Sequence, residues 1–392
     1  MAAETAKKFE ALERQAQTLM GVFVAAGHEA VAPSMIQPAD VFLDVVGETL
    51  RARTYVFTDH NGDELCLRPD LTVPTCRLHL ERHPEGNVAA KYCYNGPAFR
   101  FQPQGAASTH PREFRQAGIE AFAAGDRETA DAETVATIIK AMKAAGLGAF
   151  KLRIGDLGLF SALLTASQMP ERWRTLLTHQ FWRPDAFRAE LKRLVSSQAE
   201  ALQGIPAELV RSLDPAEPDD AENTVGRYLE RRGIELVGAR SVSEITASLL
   251  DIVADGRGVP LPRQTADVIE TYLQVRAPAD AATARIEDLL RGKGVDITPA
   301  LDTFDRRLAL LADAGVDLAH TEFSAEFGRS LEYYTGFVFE IAVPGLGPTS
   351  PVAGGGRYDS LMHAAGAQKD VAAVGAAIHT ERLLAAIEGA NR

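Results

Sequence analysis

At the N-terminus, Phe9, Leu12, Leu19 and Phe23 recur at helical spacing, with Lys7, Lys8, Glu10, Glu13 and Arg14 interleaved. This pattern predicts an amphipathic helix. Pro33 to Leu43 mixes proline with apolar residues and reads as an extended segment with a turn. Thr54 to Thr58 is rich in β-formers, Asp59-His60-Asn61-Gly62 is a turn cluster, and Glu64 to Arg68 resumes the strand pattern, which predicts a hairpin. A second pair is predicted from Val88 to Phe101 and Glu113 to Phe122, separated by a polar loop over Pro103 to Pro111. A helix is expected from about Asp131 to Ala145, with Val135, Ile138, Ile139 and Met142 on one face. Phe150 to Ile154 alternates like a strand.

From about 171 to 315 the texture turns helical, broken by Pro206, Pro215, Pro218 and Pro260. The β signal returns from Phe323, strongest over Glu332 to Val343, followed by Gly354-Gly355-Gly356-Arg357-Tyr358, a short strand near Val371 to Ile378 and a closing helix. Strand signals arriving in blocks, with helices elsewhere, predict an α+β fold. The expected organisation is a core of 1–170 and 316–392 carrying a helical insertion over 171–315.

The 392 residues are 46% hydrophobic and 24% charged, which is globular rather than disordered composition. A net charge of -12 argues against a chain whose main task is gripping phosphate backbones. Cys66, Cys76 and Cys93 form no CxxC pair and no disulfide framework, so a reducing cytoplasm is expected. The first helix lacks the apolar core of a signal peptide, and no apolar run reaches the ~18 residues of a membrane span.

No P-loop, GxGxxG, HExxH or GxSxG stands in the context it requires. His79 and His83 lie four apart without a third ligand and read as surface histidines. The GGGR tract is either a close approach to a ligand or a bulge. More informative is the segment from Tyr94 to Glu120. By period 2, Gln116, Gly118 and Glu120 share one strand face, and Arg100 ends the partner strand. An amide, a gap, a carboxylate and a guanidinium suit a small zwitterion. The bland alternative is a solvated sheet face with an incidental ion pair.

A resemblance weighs on that choice. The strings LRPD (Leu67 to Asp70), GPAFRF (Gly96 to Phe101), REFRQAGIE (Arg112 to Glu120), GRSLEYYTGFVFE (Gly328 to Glu340), AGGGRYDSL (Ala353 to Leu361) and VGAAIHTERLL (Val374 to Leu384) occur in that order. Together they resemble the catalytic core of histidyl-tRNA synthetases, a class II aminoacyl-tRNA synthetase fold. The resemblance implies an antiparallel sheet flanked by helices, dimerised through its first motif. It also implies that Asp70, Thr72 and Gln116 meet a histidine ammonium, and that Glu120 and Tyr334 meet its imidazole. Arg100 and Arg329 would face the carboxylate, and Tyr333 would complete the wall.

Four departures qualify the resemblance. Gln102 replaces the glutamate two residues after the second motif's arginine, and His379 replaces a glycine of the third motif that lets ATP approach. Ten residues follow Arg382, too few for the ~100-residue anticodon-binding domain expected of a synthetase. Asp70 stands where a glutamate is usual. These changes spare histidine recognition and damage ATP and tRNA use. The profile resembles the regulatory-subunit family of ATP phosphoribosyltransferase. That family implies a cytoplasmic hetero-oligomer with the short catalytic subunit, L-histidine as effector, and no cofactor, metal, tRNA or membrane partner. The rival expectation is a divergent ligase that activates histidine or another amino acid for a non-tRNA carrier.

Overall fold

The computed structural model describes residues 5–43, 51–102, 111–196, 202, 205–234, 241–328, 333–347 and 349–390. Helix α1 (Ala6–Ala25) starts where the Thr5 side chain accepts from the Lys8 N–H, and it buries Leu12, Ala16, Leu19 and Phe23. Phe9, expected on that apolar face, is 48% exposed. Its ring instead carries the Arg115 guanidinium at 5.5 Å.

A nine-stranded sheet runs in the order β1-β5-β6-β12-β11-β10-β7-β9-β8. Its members are β1 (Glu29–Ala30), β5 (Ala90–Phe99), β6 (Glu113–Phe122), β7 (Lys151–Asp156), β8 (Arg276–Pro278), β9 (Glu322–Ser324), β10 (Phe337–Ala342), β11 (Ala353–Arg357) and β12 (Ala373–His379). All neighbours are antiparallel except β1–β5 and β7–β9. The predicted first hairpin is present as β3 (Tyr55–Thr58) and β4 (Glu64–Leu67), and β2 (Ile36–Pro38) joins β4 to make a three-stranded sheet. The GGGR tract lies in β11, fully buried and in regular register with β10 and β12 rather than bulged.

Helices α2 (Asp40–Leu43), α3 (Thr72–Arg82), α4 (Arg127–Ala144) and α5 (Leu157–Ala166) lie between these strands in the chain. Further on come α6 (Glu171–Gln180), α7 (Pro184–Val195), α8 (Ala207–Ser212), α9 (Pro218–Arg232), α10 (Val242–Arg257) and α11 (Arg263–Leu273). The last helices are α12 (Ala282–Leu290), α13 (Thr298–Asp313), α14 (Asp359–Ala364) and α15 (Thr380–Ala390). Asp126 caps α4 by accepting from the Thr129 N–H, so that helix begins four residues earlier than its apolar stripe suggested.

Two compact units emerge, one of Met1–Ala166 with Thr271–Arg392, the other of Ser167–Glu270. The second is helical, with a core of Leu209, Leu213, Ala221, Val225, Tyr228, Leu250 and Val253. In it the buried Asp255 carboxylate accepts from Arg172, Trp173 and Arg193. Residues 271–315, read from sequence with the insertion, lie in the first unit: β8 pairs with β9, and α13 packs on α4. Among the described residues no helix is long and apolar enough to cross a membrane.

Candidate functional site

Residues directly opposite in a sheet share a face, so the register sets the site's composition. On β6, Gln116, Gly118 and Glu120 stand opposite Gly96, Tyr94 and Tyr92 of β5. On the other side they meet His379, Ala377 and Gly375 of β12. The period-2 reading of Gln116, Gly118 and Glu120 therefore holds. A Cβ on Gly118 would come within 2.6 Å of both the Tyr94 hydroxyl and the Ala376 carbonyl, and one on Gly375 would overlap the Glu120 carboxylate. Two glycines thus make room for a carboxylate and a phenol on the sheet floor.

Glu120 is fully buried. Tyr94 donates its hydroxyl to Oε1 at 2.8 Å, Tyr358 donates to Oε2, and the Thr72 hydroxyl at the start of α3 donates as well. Burial pushes the Glu120 carboxyl up to about 7 against the pull of those three donors, and the Asp70 charge pushes the same way. Burial and the Glu120 charge hold Tyr94 and Tyr358 well above the usual phenol range, so both remain donors. A carboxyl that titrates near neutrality inside a cradle of hydroxyls can accept from, or share a proton with, an imidazole.

Asp70 follows β4 and is 3% exposed. Its Oδ1 accepts from the Val73 N–H at 3.2 Å, while Oδ2 is buried without a hydrogen-bond partner. Gln116 Oε1 is buried without one too. An unmet buried acceptor costs ~1–3 kcal/mol, and an ammonium, with three donors, is suited to satisfying such oxygens. Burial raises the Asp70 carboxyl, and the Arg100 charge opposes that rise. Arg100, just beyond β5, donates Nε to the Pro69 carbonyl at 2.9 Å and lies over Phe114 at 5.1 Å. Burial lowers it to about 10, with Asp70 opposing, so it stays a cation at neutral pH. Its charge also reaches Tyr333.

Tyr333, Tyr334 and Tyr358 form an aromatic wall. Ring centres lie 4.8 Å apart for Tyr333–Tyr334, 5.8 Å for Tyr333–Tyr358 and 6.5 Å for Tyr334–Tyr358. Arg329 falls outside the described residues. The structure thus gathers Thr72 and Glu120 by hydrogen bonds, and Asp70 and Arg100 by charge. Tyr94 and Tyr358, which hold the carboxylate, were not singled out from sequence. Tyr94 shares the alternation of Gly96, but only the register puts it diagonal to Glu120. The His379 ring packs at a tilt against Phe114 with centres 4.9 Å apart, so the one Phe114 ring carries both Arg100 and His379. One correction concerns His79. It is fully buried, not at the surface, with Nδ1 against the Tyr92 hydroxyl at 3.3 Å and Nε2 against the Gly86 carbonyl at 3.4 Å.

The sequence family described as histidyl-tRNA synthetase matches residues 4–229 and 248–383. An ATP phosphoribosyltransferase regulatory subunit from Brucella anthropi is 34% identical over 365 residues, covering 91% of this chain and 92% of its own. One from Mesorhizobium japonicum is 33% identical, covering 96% and 98%. The chain belongs to the ATP phosphoribosyltransferase regulatory subunit family. Its histidyl-tRNA synthetase-like fold is shared with solved structures. An ATP phosphoribosyltransferase regulatory subunit/histidyl-tRNA synthetase from Bacillus halodurans superposes with TM-score 0.67 at 21% identity, over 99% of this chain and 81% of that one. A histidyl-tRNA synthetase from Nostoc superposes with TM-score 0.60 at 17% identity, over 97% and 72%. Within this family, the α+β class II architecture expected from the motifs is the one observed.

Proposed function

We propose that this chain is a regulatory subunit of ATP phosphoribosyltransferase in histidine biosynthesis. It works in the cytoplasm without catalytic activity of its own, activates the short catalytic subunit, and senses L-histidine for feedback inhibition. The observation that carries the reading is a pair of buried acceptors without donors, Asp70 Oδ2 and Gln116 Oε1, in the same site as the hydroxyl-cradled Glu120. A histidine ammonium would satisfy Asp70, Gln116 and Thr72, and its imidazole would meet Glu120 beside Tyr334. Arg100 and Arg329 would face its carboxylate, with Tyr333 closing the wall. His379 and Gln102 stand where a synthetase would handle ATP, which supports sensing over aminoacyl transfer.

The chain self-associates as a dimer. Five of the ten exposed large apolar residues among those described, Met35, Ile36, Val56, Phe57 and Phe101, lie on or beside the three-stranded sheet. Phe101 joins that group through its edge-on contact with Tyr55 at 6.0 Å.

The functional test is phosphoribosyltransferase turnover of the short catalytic subunit from the same source, with and without this chain, followed by L-histidine titration. Activation that histidine reverses is expected. No activation and no co-elution would overturn the reading.

A further inference from the structure

Behind the tyrosine wall lies a buried ion network that the histidine reading does not use. Arg307 of α13 donates Nε to Asp131 of α4 at 2.8 Å and Nη1 to Asp156 of β7 at 2.6 Å. Arg357 of β11 donates Nη2 to Asp131 at 2.7 Å and Nη1 to Asp359 at 2.9 Å. All five side chains are buried, with Asp131 completely so. Two guanidiniums against three carboxylates leave one negative charge. Arg127 answers it from the surface, 3.5 Å from Asp359, while its carbonyl accepts from Arg357. Taking so many charges out of water costs several kcal/mol per ion before pairing. Plain core packing would not need such a device.

The network grips the backbone on both sides of the site. Tyr358 sits between Arg357 and Asp359, and its hydroxyl holds Glu120. The Asp359 carboxylate also accepts from the Ala373 N–H at 2.9 Å, on the strand that carries Gly375. Asp359 N–H donates to the Thr335 hydroxyl at 3.0 Å, and Thr335 N–H donates to the Arg357 carbonyl at 2.8 Å. Thr335 directly follows Tyr333 and Tyr334. One clamp therefore fixes the Tyr358 and Tyr333–Tyr334 walls together, and its far end is anchored on α13.

We infer that Arg307, Asp131, Arg357 and Asp359 form a positioning frame that sets the Tyr358–Glu120 hydrogen bond and ties the histidine site to helices α4 and α13. None of the four is among the residues proposed to meet histidine; they act through Tyr358 and Thr335. The inference rests on the reading of the Glu120 site as a histidine site, so one readout is kept independent of histidine.

Three variants of the full chain separate the roles. Arg307→Lys keeps the charge and loses the fork that joins Asp131 to Asp156. Arg127→Gln alters only the exposed end of the network and keeps the test alive if the buried variant does not fold. Arg306→Ala, the neighbouring position, removes an exposed ion pair with Asp126 and Glu128 and serves as control. The first readout is the Glu120 carboxyl titration, followed by carbon-13 NMR of side-chain-labelled glutamate and assigned by its disappearance in Glu120→Gln. The second is L-histidine binding by calorimetry.

Arg307→Lys is expected to move the Glu120 midpoint upward, because a misplaced Tyr358 no longer stabilises the carboxylate. It should weaken histidine binding roughly 3- to 10-fold. Arg127→Gln should shift both in the same direction by less, and Arg306→Ala neither. An unchanged midpoint in folded Arg307→Lys and Arg127→Gln, with only thermal stability lowered, would make the network structural and overturn the frame. A wild-type chain that takes up no histidine, with the midpoint still shifting in the variants, would overturn the histidine reading and leave the frame standing.

Discussion

Glu120 concentrates the chemistry of this molecule at the residue scale. Its carboxyl is raised from about 4.5 to about 7, so between those values the folded chain keeps a proton that the unfolded chain releases. That contribution to stability is fully present below about 4.5 and is lost as pH rises through about 7. Histidine binding should inherit the same titration. A free imidazole titrates near ~6.5, and the bound pair is best satisfied by one shared proton. Below ~6.5 one proton must leave on binding, and above about 7 one must be taken up. Affinity should therefore peak between these values and fall on both sides, approaching about tenfold per pH unit. Glu120→Ala should weaken binding by about 1–3 kcal/mol, since a buried imidazole donor loses its acceptor. Calorimetry between pH 5.5 and 8.5 reads both effects, and a flat wild-type profile would remove Glu120 from the imidazole. Gln116, Gly118 and Glu120 were legible in the sequence because strand period 2 needs no partner. Tyr94 and Tyr358 were not, because their closeness to Glu120 depends on cross-strand register and on a helix start more than two hundred residues away in the chain.

Legibility changes with element type. The α4 stripe and the β3–β4 hairpin were readable because local periodicity and turn chemistry decide them. His79 was misjudged because four-residue spacing says where a helix faces, not that Tyr92 and Phe122 close over it. Residues 271–315 were misjudged because α12 and α13 have ordinary helical texture. What ties them to the sheet is long-range: the three-residue β8 paired to β9, and Arg307 of α13 reaching Asp156 of β7. The small sheet carries the element-scale prediction. β3 is an edge strand with Val56, Phe57 and Thr58 exposed, and β2 presents Ile36 beside Met35 on the opposite edge. Unpaired edges with contiguous apolar side chains are either protected by charge or covered by a partner. Here the apolar residues stay, which favours a covered surface. Phe57→Glu places a charge on a residue already 38% exposed, so folding should be preserved. Sedimentation velocity should show a dimer for the wild type and a shift towards monomer for the variant. A wild-type dimer untouched by Phe57→Glu would move the interface elsewhere.

At the scale of the whole molecule, feedback is a statement about two states rather than one pocket. Histidine shifts an equilibrium only by the ratio of its affinities for the states, so tight but equal binding relays nothing. If this chain relays histidine to a catalytic subunit, its affinity for histidine must differ between the free chain and the inhibited or active assembly. Reciprocity then fixes a number: the factor by which assembly changes histidine affinity equals the factor by which saturating histidine changes the affinity of the subunits. A tenfold ratio corresponds to about 1.4 kcal/mol of coupling. The walls of the site are held by Tyr358 and Thr335, and the network behind those residues reaches α13 as well as β7. The expected outcome is two calorimetric histidine affinities, one for the free chain and one for the complex, whose ratio matches the histidine-induced change in subunit affinity. Equal affinities in the two states would rule out this site as the origin of feedback, even if histidine bound it tightly.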